Sequence, residues 1–247
     1  MLPPIRGLIE SSLLEWDGKV STVVCLQGCN LRCPYCHSHN LISREMPSEV
    51  VPLEGILGLL EDRRGWIDGV VVSGGEPAIH PELPEFLAAF KSLGCAVKLD
   101  TNGTFPGMLS DLIDMGLVDY VAMDLKAPLE PARYAAAAGV EVDVNAVGRS
   151  IEVLRRGRVD YEFRTTVCPT VLSLEDLETM ARSIAGARRY VLQQFIPETA
   201  LRRELRTVKP YAQCDLLAAS QKLSGLVRHC QLRGQPSPEP AAAGVGG

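Results

Sequence analysis

Short apolar runs alternate with longer stretches of helical periodicity along most of the chain. Runs of this kind, bounded by polar or glycine-containing turns, predict buried strands. They lie at residues 20–26, 69–72, 95–99, 118–123, 161–167 and 190–195. Apolar residues at helical spacing predict helices at 53–63, 83–93, 108–115, 131–138, 145–156, 174–184 and 212–230.

This alternation predicts a parallel sheet, because each strand needs a helical crossover before the next parallel strand can pair with it. Right-handed crossovers curl such a sheet toward a barrel, and eight units would close one. Six units therefore predict an α/β fold, a partial (β/α)6 barrel of parallel strands that is open on one side. We expect residues 1–233 to form this barrel and the Pro-, Gly- and Ala-rich residues 234–247 to form a disordered tail.

Polar and glycine-rich motifs follow the predicted strands at one end. They are the loop after residue 26, then SGGEP, DTNG, DLKAP, RTTVCP and QQF. The carboxyl ends of parallel strands meet at one edge of the sheet, where such folds bind their ligands. Thr165 and Gln193 lie at two of these ends and are candidates for facing the cavity.

Three cysteines in the run CNLRCPYC form the strongest chemical signal. Cys29, Cys33 and Cys36 can converge on one metal centre, whereas a [4Fe–4S] cluster normally takes four thiolates. A cluster with three would keep one iron open to substrate. A zinc site that also uses His37 or His39 stays an alternative, as does a closed electron-transfer cluster with Cys25 as fourth ligand. Cys25 lies in a predicted buried strand, where cysteine usually behaves as a small apolar residue.

Composition narrows the class of protein. The 247 residues are 46% hydrophobic and 22% charged, as in ordinary globular proteins, and no apolar run is long enough to span a membrane. Eight cysteines without an export signal favour metal ligands and free thiols, and predict a cytoplasmic location. No basic and aromatic pattern indicates nucleic-acid binding.

Charge is uneven along the chain. Residues 149–233 contain 15 Lys and Arg against 9 Asp and Glu, so they carry +6, while the whole chain carries −5. A basic C-terminal portion suits an acidic partner or a nucleotide, and it is also compatible with a solvated helical surface.

The motifs CNLRCPYC, SGGEP, DTNG and DLK together resemble those of the radical S-adenosylmethionine (SAM) superfamily. Within it, GLIESSLLEWDGKVSTVVCLQGCNLRCPYCHSHNLI resembles glycyl-radical-enzyme activating proteins, especially those of anaerobic ribonucleoside-triphosphate reductase. The resemblance runs from about Ile5 to Cys230.

The resemblance implies cofactor roles for the cysteine loop and for SGGEP. Three irons of a [4Fe–4S] cluster would be held by Cys29, Cys33 and Cys36, and the amino and carboxylate groups of SAM would bind the fourth. Tyr35 would lie beside the adenine. The SAM ammonium would be received by Gly74, Gly75 and Glu76.

Two further motifs acquire roles in the same way. Asp100 and Thr101, with the carbonyl of Ala122, would hold a monovalent cation, and Asp124 and Lys126 would meet the SAM carboxylate and an incoming glycine loop. The catalytic candidates are Cys29, Cys33, Cys36 and Lys126. The cofactor-binding candidates are Tyr35, Gly74, Gly75, Glu76, Asp100, Thr101, Asn102, Asp124, Lys126, Thr165 and Gln193.

The implied activity is that of a radical activase. A flavodoxin or ferredoxin would supply an electron, SAM would give a 5′-deoxyadenosyl radical, and that radical would take hydrogen from a glycine of a partner enzyme, anaerobic ribonucleotide reductase. Few residues are left to form a lid, which favours a protein loop as substrate. Three alternatives stay open: an activase of a pyruvate formate-lyase-like enzyme, a radical SAM enzyme with a small-molecule substrate, and a non-enzymatic iron–sulfur or zinc protein.

Overall fold

The computed structural model describes residues 2–43 and 50–234. Within them one sheet contains eight strands that follow one another in chain order. The strands are β1 (Ile5–Ser12), β2 (Ser21–Leu26), β3 (Gly69–Gly74), β4 (Ala96–Thr101), β5 (Tyr120–Asp124), β6 (Asp160–Val167), β7 (Tyr190–Gln194) and β8 (Cys230–Arg233). The pairs from β2 to β8 are all parallel, so the predicted open α/β barrel with a parallel sheet is confirmed.

The two edge strands were not predicted. β1 pairs antiparallel with β2, and its outer half is exposed, so its sequence lacks the apolar run of a buried strand. β8 begins at Cys230, the last residue assigned above to the final helix. That helix ends at Leu223, and the chain turns through Ser224 and Gly225 before pairing with β7. A glycine so close to the end of an apolar pattern is a common stop signal for a helix.

Seven helices connect the strands in the described part of the chain. They are α1 (Leu53–Asp62), α2 (Leu83–Ser92), α3 (Pro106–Asp114), α4 (Pro131–Ala138), α5 (Val144–Arg155), α6 (Leu174–Ser183) and α7 (Gln213–Leu223). Side-chain caps begin two of them: Asp143 accepts from Asn145 N at the start of α5, and Ser173 forms a reciprocal capping box with Asp176 at the start of α6. These caps fix where α5 and α6 start relative to β6.

The two faces of the sheet have different cores. Val70 and Val72 of β3 belong to a large apolar core that includes the helices, whereas Val71 between them joins a smaller cluster with Trp16 and Tyr120. Successive side chains of a strand alternate between the faces, so the second cluster lies on the inner, concave face. Trp16 reaches it from the loop between β1 and β2, at the amino end of the parallel strands. That end is therefore filled, and the carboxyl end is left for ligands.

No helix in the described part of the chain is long and apolar enough to cross a membrane. The predicted tail lies, apart from Gly234, outside the described residues, so its disorder stays a prediction.

Candidate active site

The cysteine motif lies on a long loop that leaves the carboxyl end of β2. Backbone bonds tie the start of this loop to its end: Gly28 N donates to Leu41 O at 2.7 Å and Cys29 N to Ile42 O at 3.2 Å. The Gln27 side chain adds a bond from Nε2 to Ser43 O at 2.6 Å. The loop is thus closed on itself, and the three cysteines are held on a fixed frame.

The three loop cysteines are free thiols, with Cys33 buried and Cys29 and Cys36 half-buried. Burial raises the pKa of Cys29 to about 12 and also raises the pKa of Cys33 and Cys36, while Lys126 acts in the opposite direction on all three. Thiols that are desolvated in this way ionise readily only when a cation or metal compensates the charge.

This donor set fits an iron–sulfur cluster. Within residues 2–43 and 50–234, no group of three or more His, Cys, Asp or Glu side chains is arranged to hold a single metal ion. A mononuclear site needs its donors to converge on one atom, whereas the cysteines of a [4Fe–4S] cluster each bind a different iron. Free, soft thiolate donors on one anchored loop meet the second requirement.

Cys25 lies apart from this loop. It is in β2, opposite Ser73 of β3, and packs against the inner cluster. Burial raises the pKa of the Cys25 thiol, and the nearby negative charges of Asp100 and Glu15 raise it by smaller amounts. Its position is that of a strand residue on the concave face, as its sequence context predicted.

The SGGEP turn packs directly on the cysteine loop. Gly74 has a φ of 121°, a conformation that suits only glycine, and a Cβ added to Gly75 would lie 2.0 Å from Gly28 O. Glu76 N donates to that same carbonyl at 2.8 Å. These glycines are therefore required for the close approach of two loops, and they place Glu76 against the start of the cysteine loop.

Glu76 is 1% exposed and joins the ends of β3 and β4. Its Oε1 accepts from Ala78 N at 3.1 Å and Thr101 Oγ1 at 2.7 Å, and its Oε2 accepts from Asn102 N at 2.6 Å. Burial raises the pKa of Glu76 to about 7 although these hydrogen bonds favour the carboxylate. A carboxyl group poised in this way would ionise when an ammonium group comes beside it.

A side-chain network then links β4 back to the cysteine motif. Asn102 Nδ2 donates to Asn30 Oδ1 at 2.9 Å, Asn30 Nδ2 to Thr104 Oγ1 at 2.9 Å, and Thr104 Oγ1 to Asn102 Oδ1 at 2.7 Å. Asn102 was a predicted site residue, whereas Asn30 and Thr104 were missed. The only sequence signal that could have identified Asn30 was its position directly after Cys29 in the cysteine motif.

Arg164 on β6 is the most important site residue that the sequence analysis missed. Its Nη1 donates to Asp100 Oδ2 at 3.1 Å and its Nε to Asp124 Oδ1 at 2.9 Å. Burial alone would lower the pKa of Arg164, but Asp100 and Asp124 outweigh it and raise that pKa. One guanidinium therefore bridges two carboxylates that were assigned to different ligands.

Two lysines complete this charged cluster. Lys126 Nζ donates to Asp124 Oδ2 at 2.9 Å, and Lys98 Nζ lies 3.7 Å from Asp100 Oδ1. Burial would raise the pKa of Asp124, but Arg164 and Lys126 hold it well below its usual range. Asp100, one of the residues assigned above to a monovalent cation, is thus paired with two protein cations.

The remaining predicted residues differ in what surrounds them. Tyr35 is 5% exposed, and its hydroxyl has no hydrogen-bond partner among the described residues. Gln193 is half-buried and lies in register with Thr166 and Arg233 on neighbouring strands. Thr165 instead donates to Leu125 O at 2.8 Å and accepts from Tyr190 Oη at 2.9 Å.

The Thr165 prediction needs correction for this reason. Side chains alternate along a strand, so Thr165 points to the opposite face from its neighbour Arg164. Its hydroxyl stabilises the sheet and does not face the cavity, whereas Thr166 is on the same side as Arg164.

Comparison with known proteins agrees with this site. Residues 23–185 match the radical SAM superfamily. The chain is 32% identical over 206 residues to a protein of Methanocaldococcus jannaschii named as a glycyl-radical enzyme activating enzyme, and the match covers 82% of this chain and 84% of that one.

Two shorter alignments match enzymes of two different kinds. A pyruvate formate-lyase-activating enzyme of Clostridium pasteurianum is 35% identical over 128 residues, 49% of this chain and 52% of its own. A 7-carboxy-7-deazaguanine synthase of Aquifex aeolicus is 37% identical over 87 residues, 35% of this chain and 38% of its own. These two alignments span about half or less of either protein.

Solved structures share the fold. Streptococcus suis SuiB bound to precursor peptide SuiA gives a TM-score of 0.67 at 13% identity, over 86% of this chain and 48% of that one. Escherichia coli QueE gives 0.56 at 16% identity over 94% of both chains. The family match over residues 23–185 and the relative matched over 84% of its length show that this chain is an enzyme of the radical SAM superfamily, related to the glycyl-radical enzyme activating enzymes.

Proposed function

We propose that this enzyme installs a glycyl radical on a partner protein, anaerobic ribonucleoside-triphosphate reductase. The observation that carries the proposal is an anchored three-cysteine loop that contacts the Glu76 turn and lies near Lys126. It occurs in a chain related over most of its length to a named activating enzyme. The family implies a [4Fe–4S] cluster and SAM as cofactors. When bound, they supply the one-electron cleavage of SAM that yields a 5′-deoxyadenosyl radical.

The protein's own part is to bind and orient. The cysteines Cys29, Cys33 and Cys36 would hold the cluster on the fixed frame of the loop. Tyr35, with its buried hydroxyl free of partners in the described structure, would offer that hydroxyl to the adenine. Glu76 would accept from the SAM ammonium, and in doing so it would change from a partly protonated to an ionised carboxyl.

Charge balance also supports binding of the SAM carboxylate, which is on the same carbon atom as the ammonium group. Lys98, Lys126 and Arg164 bring three positive charges against the two of Asp100 and Asp124, which leaves one in excess. The neighbouring Glu162 is matched separately by Arg233, at 2.9 and 3.2 Å. One carboxylate beside Lys126 would neutralise the excess in a partly dry site, where such pairing is strong.

The monovalent cation implied by the resemblance would compete with protein cations at Asp100. Asp100 Oδ2 accepts from Ser73 and Arg164, and Asp100 Oδ1 has Lys98 at 3.7 Å but no hydrogen-bond partner among the described residues. The hydroxyl of Thr101, the second residue assigned to the cation, donates to Glu76. The cation therefore stays a prediction.

Two relatives favour alternative substrates. The match to a pyruvate formate-lyase-activating enzyme supports a different glycyl radical enzyme as partner. The match to a 7-carboxy-7-deazaguanine synthase supports a small-molecule substrate. We propose a cytoplasmic location, with flavodoxin or ferredoxin as electron donor, because the reaction needs free thiols and a low-potential electron.

The test mixes the reconstituted enzyme anaerobically with SAM, a reductant and the reductase, and records the electron paramagnetic resonance spectrum. A glycyl radical doublet on the reductase is expected, and it is lost with Cys33→Ala but kept with Cys25→Ala. If the doublet formed only on a pyruvate formate-lyase-like enzyme, that enzyme would be the partner instead of the reductase. Deoxyadenosine formation that depends on a small molecule, without any doublet, would support the second candidate.

A further inference from the structure

Residues 196–211 form a segment that lies against the cysteine loop. It leaves the carboxyl end of β7, contains two short 3-10 turns, Pro197–Thr199 and Arg203–Thr207, and leads into α7. Arg202 N donates to Pro34 O at 2.9 Å, and Pro34 lies between Cys33 and Tyr35. At its far end, Tyr211 Oη donates to Leu172 O at 3.0 Å. The segment is therefore fixed beside the cysteines.

The surface of this segment is basic. Arg202, Arg203, Arg206 and Lys209 are exposed, and none of them forms an ion pair within residues 2–43 and 50–234. The segment also contains two exposed acids, Glu198 and Glu204, which leaves a net charge of +2 on a chain whose total is −5.

Exposed arginines elsewhere are of two kinds. Arg158 and Arg182 each pair with an acidic side chain, whereas four others form no ion pair within the described residues: Arg32, Arg64, Arg156 and Arg228. The arginines of the segment differ from these scattered ones because they lie within five positions of one another beside the cysteine loop, so their charges act together on an outside partner. Unpaired charges of one sign attract a partner of the opposite sign and speed its association.

We propose that Arg202, Arg203 and Arg206 form the docking surface for a small acidic one-electron carrier. This inference rests on the proposed function, because that reaction needs an electron delivered to the cysteine loop. In each encounter the carrier loses one electron and the cluster gains it, so no other reactant is needed. The segment suits this partner because its backbone bonds to the peptide between Cys33 and Tyr35, whereas a glycine loop must reach the concave face.

The experiment compares two triple variants of the reconstituted enzyme with the wild type. R202Q/R203Q/R206Q removes the basic surface and leaves the backbone contact to Pro34. R155Q/R158Q/R188Q is the matched control: it makes the same change of charge at the amino end of the strands, opposite the site. For each protein, the affinity for flavodoxin is measured by titration at low and high salt. The rate of cluster reduction is measured with flavodoxin hydroquinone and, separately, with dithionite.

For R202Q/R203Q/R206Q we expect flavodoxin affinity and flavodoxin-driven reduction to fall about tenfold at low salt, with a weaker salt dependence and an unchanged dithionite rate. The control variant should match the wild type. Equal flavodoxin binding by all three proteins would overturn the inference, and so would equal slowing with both reductants, since that would indicate damage to the loop. If dithionite-reduced wild type fails to cleave SAM, the proposed function fails, while the binding titration still tests the docking surface.

Discussion

Arg164 shows how much of this site depends on one buried side chain. Its guanidinium connects Asp100 on β4 with Asp124 on β5, and it is only 7% exposed. Without it, the buried Asp100 and the half-buried Asp124 would have only lysines to balance their charges. Removing one partner from a buried ion pair usually destabilises a protein far more than removing an exposed one.

Arg164→Met should lower the free energy of unfolding of the cluster-free protein by about 3 kcal/mol, because it leaves Asp100 and Asp124 undercompensated. The measurement is anaerobic urea unfolding. Arg158→Met, which removes an exposed arginine paired with Asp114, should change stability by less than about 1 kcal/mol. Equal losses of stability in the two variants would show that the charge of Arg164 stabilises the fold no more than that of an exposed arginine.

Glu76 gives a prediction about pH. Its folded pKa of about 7 lies above the ordinary value of 4.5, so the proton on Glu76 stabilises the fold fully below pH 4.5 and this contribution is lost as pH rises through 7. A titration of the Glu76 carboxyl carbon by NMR, assigned with Glu76→Gln, should show a midpoint near 7. Added SAM should lower that midpoint, because an ammonium beside the carboxyl favours its ionised form. A midpoint that SAM leaves unchanged would exclude Glu76 as the ammonium acceptor.

The sequence was informative about single residues only where a motif is local. The three cysteines, the glycines of SGGEP and Asp124 with Lys126 could be proposed because each group lies within a few positions. Arg164 could not, since its two partners lie 64 and 40 positions away and no local pattern connects them. Thr165 was chosen over Thr166 because strand register, which decides the face, cannot be read from an apolar run alone.

At the scale of elements, the site depends on the contact between two loops. The turn after β3 and the loop after β2 share the carbonyl of Gly28, which accepts from Glu76 N and leaves no room for a side chain at position 75. Local glycine content indicated a turn there, but the contact itself joins residues far apart in the chain.

Gly75→Ala should prevent this contact, because the added methyl group would lie 2.0 Å from Gly28 O. After reconstitution we expect less than about half of the wild-type iron content, since the frame that holds Cys29 must move. Gly148→Ala is the control, because a Cβ there meets nothing within 4 Å and the residue lies inside α5. Full iron content in Gly75→Ala would show that the two loops can separate without losing the site.

At the scale of the whole molecule, the parallel sheet places every site residue at one edge. The inner strands were predicted correctly because they are buried on both faces and appear as continuous apolar runs. The edge strands β1 and β8 were missed because they are short or half-exposed, and their pairing depends on neighbours distant in the chain. Trp16 fills the amino end of the sheet, and this could not be predicted because its loop has neither a strand nor a helix pattern.

The central claim is that three cysteines on this edge make a radical SAM centre, and one measurement tests it most directly. The cluster is reconstituted anaerobically, dithionite and SAM are added, and 5′-deoxyadenosine is quantified. We expect product from the wild type and from Cys25→Ala, and none from Cys33→Ala. Four bound irons without any product, together with loss of iron in Cys25→Ala, would instead identify a closed four-thiolate cluster and contradict the account.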